Sequence, residues 1–302
     1  MAIATQRAAA MEVWWRRARY VLATALLWAG LHFVVGGVAV PRGLDRPLVL
    51  SPLAGLLLIA VLWAGALVLT VLVRPRDLRR PLIVLGLALA LWAAEGGRRG
   101  GTMDDWLMQC NLVPGPPGSG PYWKLLSDYV YLLLGMAGAC AILNLAVGRQ
   151  DTEGALGKRL VQALGLAASS DQRRAGLLAL LIATAVAGVA VSVLTGPPSG
   201  ETYRGQVYFA VALGLFAGVF VAHRTVKVDD PIWYWPAPIL LGIIGLVGAG
   251  VRPGLMLPPD CHVNTIPAWG LSRALPIEMV GVGLVGTLWM LRPADAARDD
   301  GG

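Results

Sequence analysis

Charged residues are bunched along this chain, and between the bunches run eight stretches almost empty of charge, at about 20–40, 52–73, 81–97, 129–147, 175–195, 207–223, 236–251 and 276–291. An α-helix rises 1.5 Å per residue, so ~20 apolar residues cross a hydrocarbon layer of ~30 Å. Five of the eight stretches reach or nearly reach that length, while the third and seventh are short. The pattern predicts an all-α fold: a polytopic transmembrane helical bundle of about eight spans, forming a single integral membrane domain over 1–302 with no soluble domain. The fully apolar part of the third span, Pro81 to Ala94, covers only ~21 Å. It must borrow length, either by letting Arg79 and Arg80 snorkel at its inner end or by holding Glu95 within the outer half of the bilayer.

Counting cations on alternate sides orients the bundle. With the N-terminus inside, 17 Lys and Arg fall in cytoplasmic segments and 8 (Arg42, Arg46, Arg98, Arg99, Lys124, Arg204, Arg252 and Arg273) fall outside. This is the positive-inside bias, and it predicts that both termini are cytoplasmic. A re-entrant third segment would instead place the five cations between Gly148 and Arg174 outside and reverse the bias. The first stretch, with Arg16, Arg17 and Arg19 before it, superficially resembles a signal peptide. At 21 residues it exceeds the 7–15 of a secretory apolar region, so it reads as an uncleaved span. Val13, Trp14 and Trp15 beside those arginines resemble an interfacial anchor.

Composition agrees with the pattern: 56% of residues are apolar, 14% are charged, and the mean hydropathy is +0.64. The formal charge of +7 invites a nucleic-acid reading, but its cations sit at span ends, where anionic inner-leaflet lipid is the expected partner and nucleic acid is not needed. The heavy use of Arg over Lys, with abundant Ala and Gly, fits a GC-rich bacterial genome and hence a bacterial inner membrane.

Connections are short. Leu156, Leu160, Val161 and Leu164 would give the 148–174 loop an amphipathic helix on the inner face, or an ordinary connector. The outer loops at 95–128 and 252–275 are rich in turn residues. A faint internal repeat relates Pro121-Tyr122-Trp123-Lys124-Leu125 before the fourth span to Pro267-Ala268-Trp269-Gly270-Leu271 before the eighth. Two parallel four-span halves would follow, with the short third and seventh spans corresponding, unless both segments merely use the residues common at outer helix ends. Gly214 and Gly218 form a GxxxG, and Gly242, Gly245, Gly248 and Gly250 line the seventh span, as close helix packing in lipid requires. Gly281, Gly283 and Gly286 match GxGxxG, but no strand precedes them, so packing is again the better reading.

Ionisable groups in a span cost ~2.5 to 3.5 kcal/mol at its centre on insertion scales, so each one invites a role. The candidates for a solute path or polar intramembrane contact are His32 in the first span, Glu95 ending the third, Asp128 and Asn144 on the fourth, and Glu278 in the eighth. The plainer alternative is that Glu95, Asp128 and Glu278 mark the outer water boundary and that His32 makes a hydrogen bond across the bundle. Asp104, Asp105 and Cys110 in one outer loop and Asp260, Cys261 and His262 in another carry acid–base or metal-ligating chemistry, but no recognised ligand spacing links them. No cofactor, metal or catalytic residue is therefore assigned. Cys110 and Cys261 both fall on the oxidising side and are expected to form a disulfide, with Cys140 reduced inside the fourth span. Scarce intramembrane charge favours a non-catalytic structural or assembly subunit, joined to membrane-protein partners or to further copies of itself through small-residue helix faces. The alternatives are a permease or channel for a small polar or cationic solute, and then an enzyme at the outer face.

Overall fold

A computed structural model describes residues 2–39, 52–75, 77–95, 103, 120–148, 169–195, 203–252, 255–256, 265–266 and 270–291. Among these residues lie eight main helices, one for each apolar stretch. α1 (Ala2–Gly30) continues through a π-helical turn (Leu31–Val35) and a final α-turn (Gly36–Ala39). It is followed by α2 (Pro52–Leu72), α3 (Arg79–Ala94), α4 (Gly120–Gly148), α5 (Ser170–Leu194), α6 (Arg204–Val226), α7 (Ala237–Val251) and α8 (Pro276–Trp289). The described strands are β1 (Leu255–Met256) and β2 (Thr265–Ile266), paired antiparallel with Leu255 opposite Ile266.

Local signals set the helix ends. Ser169 Oγ accepts from the Gln172 amide at 3.2 Å, and Gln172 Oε1 accepts from the Ser169 amide at 3.1 Å, closing a capping box at the start of α5. Lys227 ends α6 in the left-handed conformation (φ 58°), its N–H donating to His223 O at 2.9 Å.

Six segments are long and apolar enough to cross a membrane: 14–38, 52–72, 122–147, 170–194, 204–226 and 231–251. The seventh span is therefore not short, because a 3-10 turn at Pro231–Trp233 feeds α7 and brings the segment to 21 residues. The helices below that length are α3, with 16 residues, and α8, with 14, or ~24 Å and ~21 Å. α8 is interior, every residue from Leu271 to Leu284 being buried, whereas α3 buries Leu82, Leu85, Ala88, Leu89 and Trp92 on one side and exposes Leu87 and Leu91 on the other. A helix wrapped by protein need not match the bilayer thickness, whereas α1, α2, α5 and α6 do meet lipid, through Leu22, Leu67, Leu181, Phe209 and similar exposed residues.

The packing pairs are α1 with α2 and α3, α2 with α3 and α4, α5 with α6 and α7, α6 with α8, α3 with α8, α4 with α7 and α8, and α7 with α8. Glycine makes the closest of these approaches possible. A methyl group at Gly281 of α8 would stand 2.6 Å from Ala90 N of α3, one at Gly86 of α3 would stand 2.8 Å from Leu284 Cβ, and one at Gly286 would overlap Ala212 O of α6. Gly218 likewise lies against Ala183 O of α5, so the GxxxG of α6 serves as a packing face.

Candidate functional site

A helix that stops short inside a membrane leaves terminal N–H and C=O groups with no water to bind, and they must find protein partners. α3 and α8 are the two short helices, and ionisable side chains gather at their ends. At the C-terminal end of α8, Arg79 Nε–H donates to Leu288 O at 2.7 Å and its terminal N–H donates to Trp289 O at 2.9 Å. The planar guanidinium fork suits two successive carbonyls, and its charge complements the negative end of the helix dipole. Arg79 therefore turns onto the C-terminus of α8.

At the C-terminal end of α3, Glu95 follows the last helical residue, and its Oε2 lies 2.6 Å from His32 Nδ1. A carboxylate at a helix C-terminus opposes the dipole, so a facing imidazole N–H is a stabilising partner. His32 reaches it from the π-helical turn of α1, where the widened turn re-aims the side chain. Its ring lies 5.3 Å from Trp28 and 4.6 Å, edge-on, from Phe33. Two of the candidates thus form one contact, and His32 does make the hydrogen bond across the bundle.

At the N-terminal end of α8, Glu278 Oε2 accepts from the Leu275 amide at 2.9 Å. Its Oε1 accepts from the Tyr208 hydroxyl at 3.3 Å and stands 3.8 Å from Arg204 Nε. The carboxylate is 1% exposed while Arg204 is 25% exposed, so the pair bridges the interior and the rim. Just before α8, the 1%-exposed Arg273 donates to Thr195 O, the residue capping the C-terminus of α5, at 3.0 Å. Its own carbonyl accepts from the amide of the fully buried Met103 at 3.2 Å.

Asp128 is different. It is 2% exposed, and its Oδ1 has no hydrogen-bond partner among the described residues. The neighbouring Tyr129 hydroxyl, also without a partner there, fills a notch on α7 left by Gly242. Asp128 and Glu278 are both within Coulombic reach of Tyr129. Neither acid marks a water boundary, because both are enclosed by protein. Asn144 sits half-buried toward the other end of α4, about 24 Å of helix from Asp128, so it belongs to a different level of the bundle.

Arg273, Arg204 and Tyr208 do not stand out in the sequence, where the two arginines read only as outer-side charges. The available signal was Arg273 alone among Leu271, Ala274 and Leu275, five residues before Glu278. Cys140 is a buried free thiol, as expected, whereas Cys110, Cys261, Asp104, Asp105, Asp260 and His262 lie outside the described residues. Among the described residues there is no group of three or more His, Cys, Asp or Glu that would hold a metal ion. The chain matches no family model, no curated protein and no solved structure.

Proposed function

We propose that the chain is an eight-span inner-membrane protein, with both termini cytoplasmic, that serves as a non-catalytic structural or assembly subunit of a membrane complex. The observation carrying this reading is the use made of the ionisable groups in the bundle. Arg79 and Glu278 bond backbone groups at the two ends of α8, Arg204 stands beside Glu278, and Glu95 at the end of α3 is held by His32. A coupled transporter needs such groups facing a path. Instead α3 and α8, which would line that path, approach so closely that no methyl group fits at Gly86 or Gly281. A groove of about 550 Å³ on the lipid-facing side of α5 and α7, lined by Leu181, Gly188, Ser192, Leu241 and Leu271, has the apolar, small-residue character of a surface for a partner helix.

The packing pairs also support two parallel halves. Exchanging α1–α4 with α5–α8 turns α1–α2 into α5–α6, α1–α3 into α5–α7, α2–α4 into α6–α8 and α3–α8 into α7–α4, and all of these pairs pack, whereas α7–α8 and α2–α3 have no comparable counterpart in α3–α4 and α6–α7. The unequal lengths of α4 and α8 depart from that correspondence.

Purification in mild detergent, with identification of co-purifying proteins, tests the subunit reading: a stoichiometric membrane-protein partner is expected, and a lone monomer or homodimer would overturn it. The permease reading rests on Asp128, the buried carboxyl not engaged in closing a helix end. It requires Asp128→Asn to abolish solute flux at unchanged expression, and the subunit reading predicts no flux to lose.

A further inference from the structure

A second cluster of charge lies at the opposite end of the bundle from Glu95 and Glu278. A cleft of about 320 Å³ opens between the N-terminal half of α1 and the α2–α3 turn. Arg16 and Arg19 line it from α1, one helical turn apart on one face, and Arg74 and Arg80 line it from the turn and from the start of α3. Two carboxylates, Glu12 and Asp77, share the wall, so four guanidiniums face two acids and leave a net +2. Part of this arrangement is held in place. Arg80 donates to the Tyr20 hydroxyl, and its backbone N–H donates to Asp77 Oδ1 at 3.2 Å. Trp15, 54% exposed, stands at the mouth with its ring available to the interfacial layer.

Arg74 is the informative residue. It takes the left-handed position just beyond α2, with φ 49°, where helices most often place glycine because a Cβ is disfavoured there. An arginine in this place has a local conformational cost, yet its side chain joins three other guanidiniums around the cleft. The volume falls at the small end of the ~300–1,000 Å³ typical of small-molecule sites, and the guanidinium fork matches a phosphate's oxygens.

We infer that this cleft binds a phosphate anion carried by its ligand, with the Arg16, Arg19, Arg74 and Arg80 guanidiniums as the contacts. The inference borrows from the proposed topology only in placing the site at the cytoplasmic face. Two sources share the chemistry: the phosphodiester of an anionic phospholipid headgroup in the inner leaflet, and a soluble phosphate compound.

Binding to the full chain in neutral detergent separates them, and because both faces are then accessible a failure there leaves the topology untouched. Short-chain phosphatidylglycerol is titrated in one arm and inorganic phosphate in the other, with bound ligand counted by native mass spectrometry. Saturable binding of phosphatidylglycerol alone identifies a headgroup site. Saturable binding of inorganic phosphate over the same concentration range identifies a soluble ligand. Arg19→Gln and Arg74→Gly should each weaken whichever binding is seen by about five- to tenfold. Arg74→Gly should leave the melting temperature unchanged or raised, since glycine relieves the left-handed position. Arg252→Gln, exposed at the other end of the bundle, should leave binding unchanged. Binding of neither probe, or equal binding by all three variants and the unaltered chain, would overturn the inference.

Discussion

Arg79 shows how a single side chain ties down a helix end. Without it, Leu288 O loses a part-buried donor and Trp289 O an exposed one, at about 0.5–1.5 kcal/mol per bond. Arg79→Met is therefore expected to lower the detergent melting temperature, and Arg79→Lys to lower it less, because an ammonium keeps the charge but lacks the fork. An Arg79→Met protein that melts with the unaltered chain would refute the capping role. His32 and Glu95 are partly exposed, at 27% and 19%, so their contact is worth less than its 2.6 Å length implies. A double-mutant cycle of His32→Ala with Glu95→Gln should give a coupling near ~1 kcal/mol, and additive effects would show that the two side chains meet without stabilising each other. Asp128 points the other way. Replacing its enclosed carboxyl with a side chain of similar volume, Asp128→Leu, removes an acceptor with no described partner and should stabilise the protein by about 1–3 kcal/mol.

At the scale of elements, most of the fold is legible from hydropathy alone, because lipid demands long apolar helices and tolerates few other solutions. What hydropathy misses is helix that is not apolar. α4 begins at Gly120 and not near residue 129, since Trp123, Lys124, Ser127 and Asp128 continue the same helix beyond its apolar part. Nor can apolar length tell a short span from an interior one. The eighth stretch reads as one more span over 276–291, yet its helix ends at Trp289 and is buried along nearly its whole length. Glycine placement decides which helices become neighbours. Gly281→Ala should destabilise the α3–α8 contact by about 1–3 kcal/mol, because its new methyl meets backbone atoms that cannot swing aside. Gly205→Ala meets open space and should be neutral or slightly stabilising, so equal melting temperatures for the two variants would contradict the close-packing account.

Across the whole molecule, the candidate site was half legible. His32, Glu95, Asp128 and Glu278 are conspicuous because an ionisable group in an apolar stretch is expensive wherever it sits. Their partners are not, because His32 and Glu95 are 63 residues apart and Tyr208 and Glu278 are 70 apart, separations that no local pattern encodes. Once paired, His32, Glu95 and Glu278 read as fasteners at one end of the bundle, with Arg79 and the arginine-lined cleft at the opposite end. That division of charge is the premise of the eight-span, N-in and C-in account. A reporter active only in the cytoplasm tests it most directly, fused in turn after Arg80, Gly120, Arg174, Asp260 and Gly302. The account predicts activity after Arg80, Arg174 and Gly302 and silence after Gly120 and Asp260. Silence after Arg174, with activity after Gly120, would contradict it.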